Sequence, residues 1–197
     1  MKIFFDVDTQ NDFMNSDGAL YVPKAESIKP NLKLLTDYAR ENKIPITGSR
    51  DKHFGREEYK EREGELQKWG GPFPEHCMAG TFGQEKIGET KTYADYPAIY
   101  FEKQNYDVFT NPDIEKFLKQ EKVIEVVVYG VATDYCVKAA VFGMQKLGIQ
   151  CYIVEDAIKG VFPDSTKIAL EEMLAKGAKF IKTTDILENK IKWLKEK

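Results

Sequence analysis

Six short apolar runs, nearly all apolar on both faces, constrain this chain more than any other feature. They fall at 3–7, 44–47, 98–101, 123–129, 151–154 and 180–181. A strand with one solvated face alternates apolar and polar residues, so runs of this kind belong to a parallel sheet covered on both sides. The intervening segments supply the covering helices. Ile28, Leu32, Leu35 and Ala39 form one apolar stripe, and Val137, Ala140, Val141, Met144 and Leu147 form another that stops before Gly148. A further helix is predicted from Asp164 or Ser165, just after Pro163. The expectation is an α/β fold, doubly wound, with a mostly parallel six-stranded sheet and helices on both faces, in one domain spanning 1–197. The stretch 52–92 stands apart, because Gly70, Gly71, Pro72 and Pro74 break any period there. A loop this long in a compact domain is usually functional.

Charge narrows the partners. The 29 Lys and Arg set against 32 Asp and Glu leave a net charge of −3, with no basic stripe to neutralise phosphates. Nucleic acid is therefore not expected, and a small molecule is. A carboxylate at Asp6 interrupts the first apolar run too early for a secretory core, and no later run approaches the ~18 residues of a membrane span. The expected location is the cytoplasm, with no membrane partner and with homo-oligomerisation left open. Three cysteines, an odd number, argue against a disulfide framework, so each thiol is weighed alone.

Ligands of open parallel sheets bind beyond the carboxyl ends of the strands. Those ends here read Asp6-Val7-Asp8, then Arg50-Asp51-Lys52-His53, then Glu102-Lys103, then Gly130-Val131-Ala132-Thr133-Asp134-Tyr135-Cys136. An acid, two metal-ligand types, a lysine and a cysteine thus share one rim. Cys136 lies where a loop turns into a helix, with Thr133 or Asp134 as its expected N-cap, and helix-end amides there would favour a thiolate. Cys151, inside a strand, and Cys77 read as packing residues. Asp51 and His53, two apart in an extended segment, can share one metal ion with His76 from the long loop, a donor set suited to Zn first and to Fe or Mn as alternatives. Lys103 is either a snorkelling strand end or an ammonium between Asp8 and the thiol. Either Asp6 or Asp8 can also simply close the turn after the first strand.

Taken in order, Asp8-Thr9-Gln10-Asn11-Asp12-Phe13, Arg50-Asp51-Lys52-His53, Pro74-Glu75-His76-Cys77-Met78-Ala79-Gly80-Thr81, Lys103 and Gly130-Val131-Ala132-Thr133-Asp134-Tyr135-Cys136-Val137 resemble the successive motifs of the nicotinamidase and isochorismatase-like hydrolases. The resemblance implies a catalytic trio of Asp8, Lys103 and Cys136, and a cis peptide at Val131-Ala132 shaping an oxyanion hole with Cys136. It further implies a metal on Asp51, His53 and His76, as in the metal-containing nicotinamidase branch. The implied activity is hydrolysis of nicotinamide to nicotinate and ammonia through a Cys136 thioester, as a step of NAD salvage. A ureido or carbamoyl amide is the alternative substrate. Phe13, Phe73, Val131, Ala132 and Tyr135 are then expected to line the substrate site. The chain departs from the pattern in lacking a further histidine, so that waters would complete the metal shell, in its Glu-, Lys- and Arg-rich 55–71 segment, and in Phe73 where many relatives carry Trp.

Two readings from other classes compete. The acidic runs Phe4-Phe5-Asp6-Val7-Asp8 and Val154-Glu155-Asp156 are similar to motifs of haloacid dehalogenase-type phosphatases, but Gln10 stands where that family needs Thr or Val, and Cys136 goes unexplained. The other is a binding module with a silent pocket.

Overall fold

A computed structural model describes residues 1–91 and 96–191. Six strands, β1 (Lys2–Val7), β2 (Ile46–Asp51), β3 (Ile99–Lys103), β4 (Glu125–Val131), β5 (Gln150–Lys159) and β6 (Lys179–Ile181), form one sheet in the order β3-β2-β1-β4-β5-β6. Every neighbouring pair is parallel, which makes the sheet wholly rather than mostly parallel. The chain runs outward one way from β1 to β3 and the other way from β4 to β6. The reversal between β1 and β4 opens a crevice at their carboxyl ends.

Helices α1 (Asn11–Met14), α2 (Lys29–Glu41), α3 (Pro112–Gln120), α4 (Lys138–Lys146), α5 (Pro163–Ala175) and α6 (Thr183–Leu187) complete the regular structure. Alternation along β1 divides its side chains between two cores. Phe4 packs with Leu32, Leu35, Tyr38 and Ala39 of α2 and Ile186 of α6. Ile3, Phe5 and Val7 pack with Ile114 of α3, Val141 and Met144 of α4 and Met173 of α5. Both faces of β1 are buried, as its apolar composition requires. The α2 stripe is the predicted one, and Pro30 in its first turn costs no hydrogen bond. Gly148, at φ 76, takes the left-handed conformation that stops the chain after α4.

Several boundaries differ from expectation. Strand β5 continues to Lys159, because the polar pair Glu155-Asp156 does not end the strand, whose pairing with β4 resumes after a register shift between Val128 and Gly130. Helix α5 starts at Pro163, with Phe162 in the cap position. Helix α3 was not predicted: Ile114 and Leu118 are its only fully buried positions, too few to declare a period. The 52–92 stretch is irregular as expected, built from 3-10 turns at Glu57–Arg62, Gln67–Trp69 and Phe82–Gln84. Its last residue, Thr92, lies outside the described residues. No helix among the described residues is long and apolar enough to cross a membrane.

Candidate active site and metal centre

The crevice between β1 and β4 receives Asp8, Lys103 and Cys136 from three separate strand ends. Asp8 leaves β1 at φ 47, a conformation unusual for a residue with a Cβ and characteristic of functional turns. The turn is closed by its neighbour: Asp6 accepts a hydrogen bond from Thr9 Oγ1 at 2.7 Å and pairs with Lys86 at 3.1 Å. Asp8 is thereby left for other work. Lys103, the last residue of β3 and 1 % exposed, does not snorkel to solvent. Its ammonium lies 2.9 Å from Asp8 Oδ2, bonds Asp51, and stands 3.7 Å from Cys136 Sγ. Neither Asp8 oxygen has a well-aligned hydrogen-bond donor, so the carboxylate can accept a proton.

Burial pushes the Asp8 carboxyl above the ordinary range, against the pull of Lys103. Burial likewise raises the Cys136 thiol well above its usual value; Lys103 opposes this, while Asp8 and Asp51 add to it. Burial therefore works against the thiolate that helix-end amides were expected to favour. The helix-end account also changes. Residues Thr133–Val137 form a π-turn capped by Ala132, with no side-chain cap. Asp134 instead binds Val161 N–H, Phe162 N–H and Ser165 Oγ, joining the turn that carries Cys136 to the start of α5. The Val131-Ala132 peptide is cis. Gly130 lies against β1 so closely that a Cβ would strike the Val7 carbonyl.

Asp51, His53 and His76 meet beside this trio. Two carboxylates and two histidines, Asp51, His53, Glu65 and His76, bring their donor atoms within 4.8 Å of one another, all buried. Both rings are anchored through Nδ1, His53 on Glu63 Oε2 and His76 on the Pro74 carbonyl, each at 2.7 Å. His53 Nε2 is left buried without a partner. Burial and the Asp51 charge raise the Glu65 carboxyl. Burial would raise Asp51 too, but Lys103 and His76 outweigh it and hold that carboxyl at about 2. An orphaned imidazole nitrogen beside crowded carboxylates is what a divalent cation would satisfy, so the donor set fits a metal of the Zn, Fe or Mn kind.

Glu65 adds a fourth possible donor to the three expected from the sequence. Neither it nor Glu63 was singled out in the sequence, where they hide in a charge-dense run resembling a solvated surface. The spacing Glu63-Gly64-Glu65 repeats the two-residue step of Asp51-Lys52-His53, and an apolar residue, Leu66, adjoins it. Those were the available signals. Gln10 was not singled out as a site residue. Its amide donates to the Asp51 and Gln84 carbonyls, each at 2.8 Å, and accepts from Asp51 N–H at 2.6 Å, tying the end of β2 to the long loop. Asp12 accepts from Cys77 N–H at 2.6 Å and so fixes the backbone next to His76.

A cavity of about 340 Å³ opens onto both groups and is lined by Asp51, Glu65, His76 and Cys136. Phe13, Phe73, Val131, Ala132 and Tyr135, the five residues expected around a substrate, all line it as well. The Phe13 and Phe73 rings lie 5.6 and 6.2 Å from the His76 ring. Leu20, Tyr21, Tyr106, Val161 and Phe162 also contribute and were not predicted. Cys77 and Cys151 are fully buried packing residues, and burial pushes the Cys151 thiol up to about 12.

Residues 2–185 match the isochorismatase domain family. Over 198 residues the chain is 29% identical to the nicotinamidase of Escherichia coli, covering 87% of this chain and 90% of that one. It is 28% identical over 200 residues to the nicotinamidase of Saccharomyces cerevisiae, covering 83% and 90%. The crystal structure of the pyrazinamidase of Pyrococcus horikoshii in complex with zinc superposes with a TM-score of 0.81 at 33% identity, over 92% of this chain and 98% of that one.

Proposed function

Because the chain belongs to the isochorismatase family and is an amide-bond hydrolase, we propose that it is a metal-containing cysteine amidohydrolase converting nicotinamide to nicotinate and ammonia. The observation that carries this reading is that Cys136, with the Lys103 ammonium and Asp8 carboxylate directly behind it, shares one apolar cavity with Asp51, Glu65 and His76 of the four-donor group. The relatives named above, two nicotinamidases and a zinc-bound pyrazinamidase, support the choice of substrate and of zinc.

Asp8 takes the Cys136 proton as the sulfur attacks the amide carbon. Charge developing on the carbonyl oxygen is received by the backbone N–H groups of Ala132 and Cys136. The tetrahedral adduct collapses as Asp8 returns the proton to the departing nitrogen, releasing ammonia and leaving an acyl group on Cys136. Asp8 then deprotonates a water that attacks this thioester, and the carboxylic acid leaves as the thiol is restored. Lys103 stays charged throughout, its ammonium held up by Asp51 and Asp8 against the effect of burial. Phe13, Phe73 and Tyr135 offer ring faces and edges to a flat heteroaromatic. A metal held by Asp51, His53, Glu65 and His76 would supply a Lewis-acid contact that orients the substrate, through the pyridine nitrogen in the case of nicotinamide.

The reading is tested by measuring ammonia release from nicotinamide, pyrazinamide, benzamide and a set of ureido and carbamoyl compounds. Nicotinamide is expected to exceed benzamide by at least about tenfold in kcat/KM, the effect of one contact worth roughly 1.4 kcal/mol in the transition state. Elemental analysis should find about one divalent metal per chain. Activity confined to ureido compounds would move the substrate to the alternative class.

A pH dependence follows from the raised Asp8 carboxyl. Only ionised Asp8 can accept the thiol proton, so activity is lost as pH falls through its pKa. A raised pKa places that loss above the ordinary carboxylate value of about 3.9. The acid limb of kcat/KM should therefore lie at higher pH than a free carboxylate would give. A limb at or below the ordinary value would remove Asp8 from the role of base.

A further inference from the structure

We infer that Glu63 sets the tautomer of His53 and so makes that imidazole able to bind metal, an inference that rests on the metal reading above. Glu63 is fully buried, within the charge-rich 55–71 segment whose purpose the sequence does not disclose. Its two oxygens face two different partners. Oε2 lies 2.7 Å from His53 Nδ1, and Oε1 accepts the Phe54 N–H at 2.6 Å. An ionised carboxylate has acceptors only, so the imidazole proton must sit on Nδ1. Nε2 is then a bare lone pair, and it is this nitrogen that is buried without a partner. His76 is fixed in the same sense by the Pro74 carbonyl, a backbone acceptor that no substitution of a side chain removes. Glu63 is thus a positioning residue, acting on the metal through His53.

The arrangement predicts an inverted order of variants. In Glu63→Gln the Phe54 N–H, a donor that cannot change, claims the amide oxygen. The amide NH2 is left facing His53 Nδ1. Two donors cannot face each other, so the ring proton moves to Nε2 and covers the lone pair needed by the metal. Glu63→Ala removes more atoms, yet it leaves a polar gap in which water can serve as donor or acceptor, so the useful tautomer remains available. The near-isosteric variant should therefore be the more damaging one. A merely structural role predicts the opposite.

The test is a zinc titration of metal-stripped protein against a competing chromophoric chelator, with folding followed by circular dichroism. Wild type is expected to bind one zinc, Glu63→Gln to bind it about ten- to a hundredfold more weakly, and Glu63→Ala to fall between them. Equal affinity of wild type and Glu63→Gln, or a weaker Glu63→Ala, overturns the tautomer assignment and leaves the metal reading standing. A folded wild type that binds no zinc overturns both. The chain has only two histidines, so imidazole 15N resonances of metal-free wild type give a readout independent of whether the variants fold. Nδ1–H on His53 before any metal is added supports the proposal, and Nε2–H overturns it.

Discussion

Replacing Cys136 by Ala is expected to lower kcat for ammonia release by at least about 10⁴-fold, the scale on which single members of a nucleophile and base unit fail. Removal of the sulfur abolishes the covalent route, and the remaining cavity supplies binding but no acceptor for the acyl group. The fold should survive, because Cys136 is only partly buried and loses a single atom. Mild alkylation should label Cys136 alone among the three thiols. Its selectivity comes from access rather than acidity, since Cys136 lines the cavity while Cys77 and Cys151 are fully buried. Peptide mapping by mass spectrometry, paired with residual activity, checks both statements. Activity that persists after Cys136 is alkylated, or in Cys136→Ala, would require another nucleophile.

Replacing Lys103 by Met is expected to cost both activity and stability. The ammonium is the shared counterion of Asp8 and Asp51, both buried, and it faces the sulfur at 3.7 Å. Met keeps most of the length and volume but leaves two carboxylates without their cation. Breaking a buried pair of this kind costs about 3–5 kcal/mol, or about 6–20 °C in Tm for a chain of this size. The sign of the pH dependence is fixed by Asp8. With Lys103 gone, burial and the Asp51 charge act on that carboxyl against only the weaker pull of Lys86, so its folded pKa rises further above the unfolded value. The folded state then holds an extra proton, and stability falls as pH rises through the raised pKa. The deficit should therefore shrink in acid. Thermal melts at pH 5 and pH 8, with ammonia release at pH 8, test the two parts. A variant with wild-type Tm and turnover within tenfold would show that the ammonium is peripheral.

Most of the sheet was legible because strands buried on both faces carry their signature in consecutive residues. The run at 3–7 needed no knowledge of its neighbours to be read as a strand buried on both faces. The polar pair Glu155-Asp156 masked the continuation of β5, and the sparse burial of α3 masked a helix. The site divides the same way. Asp8, Asp51, Lys103 and Cys136 follow strands, so an argument from strand ends could gather them. Glu63 and Glu65 hang from an aperiodic loop, and their meaning depends on which side of that loop faces His53. The upward push on the Cys136 thiol was equally unreadable, because it depends on the balance between burial and a lysine distant in sequence.

The position of β1 between β2 and β4 also bears on the order in which the chain becomes dangerous to itself. The proposed base, Asp8, precedes the other site groups along the chain, yet the strand before it cannot be flanked on both sides until β4 has emerged. The thiol follows β4 directly and is the last of the site groups to appear. A growing chain therefore carries either a carboxylate without a nucleophile or, once Cys136 is made, a thiol that meets its base only when the central strands dock. Pairing between segments so far apart in sequence is slow compared with local helix formation. On the proposed mechanism, reactivity toward amides is withheld until the sheet has closed around β1, and assembly of the fold itself acts as the activating step.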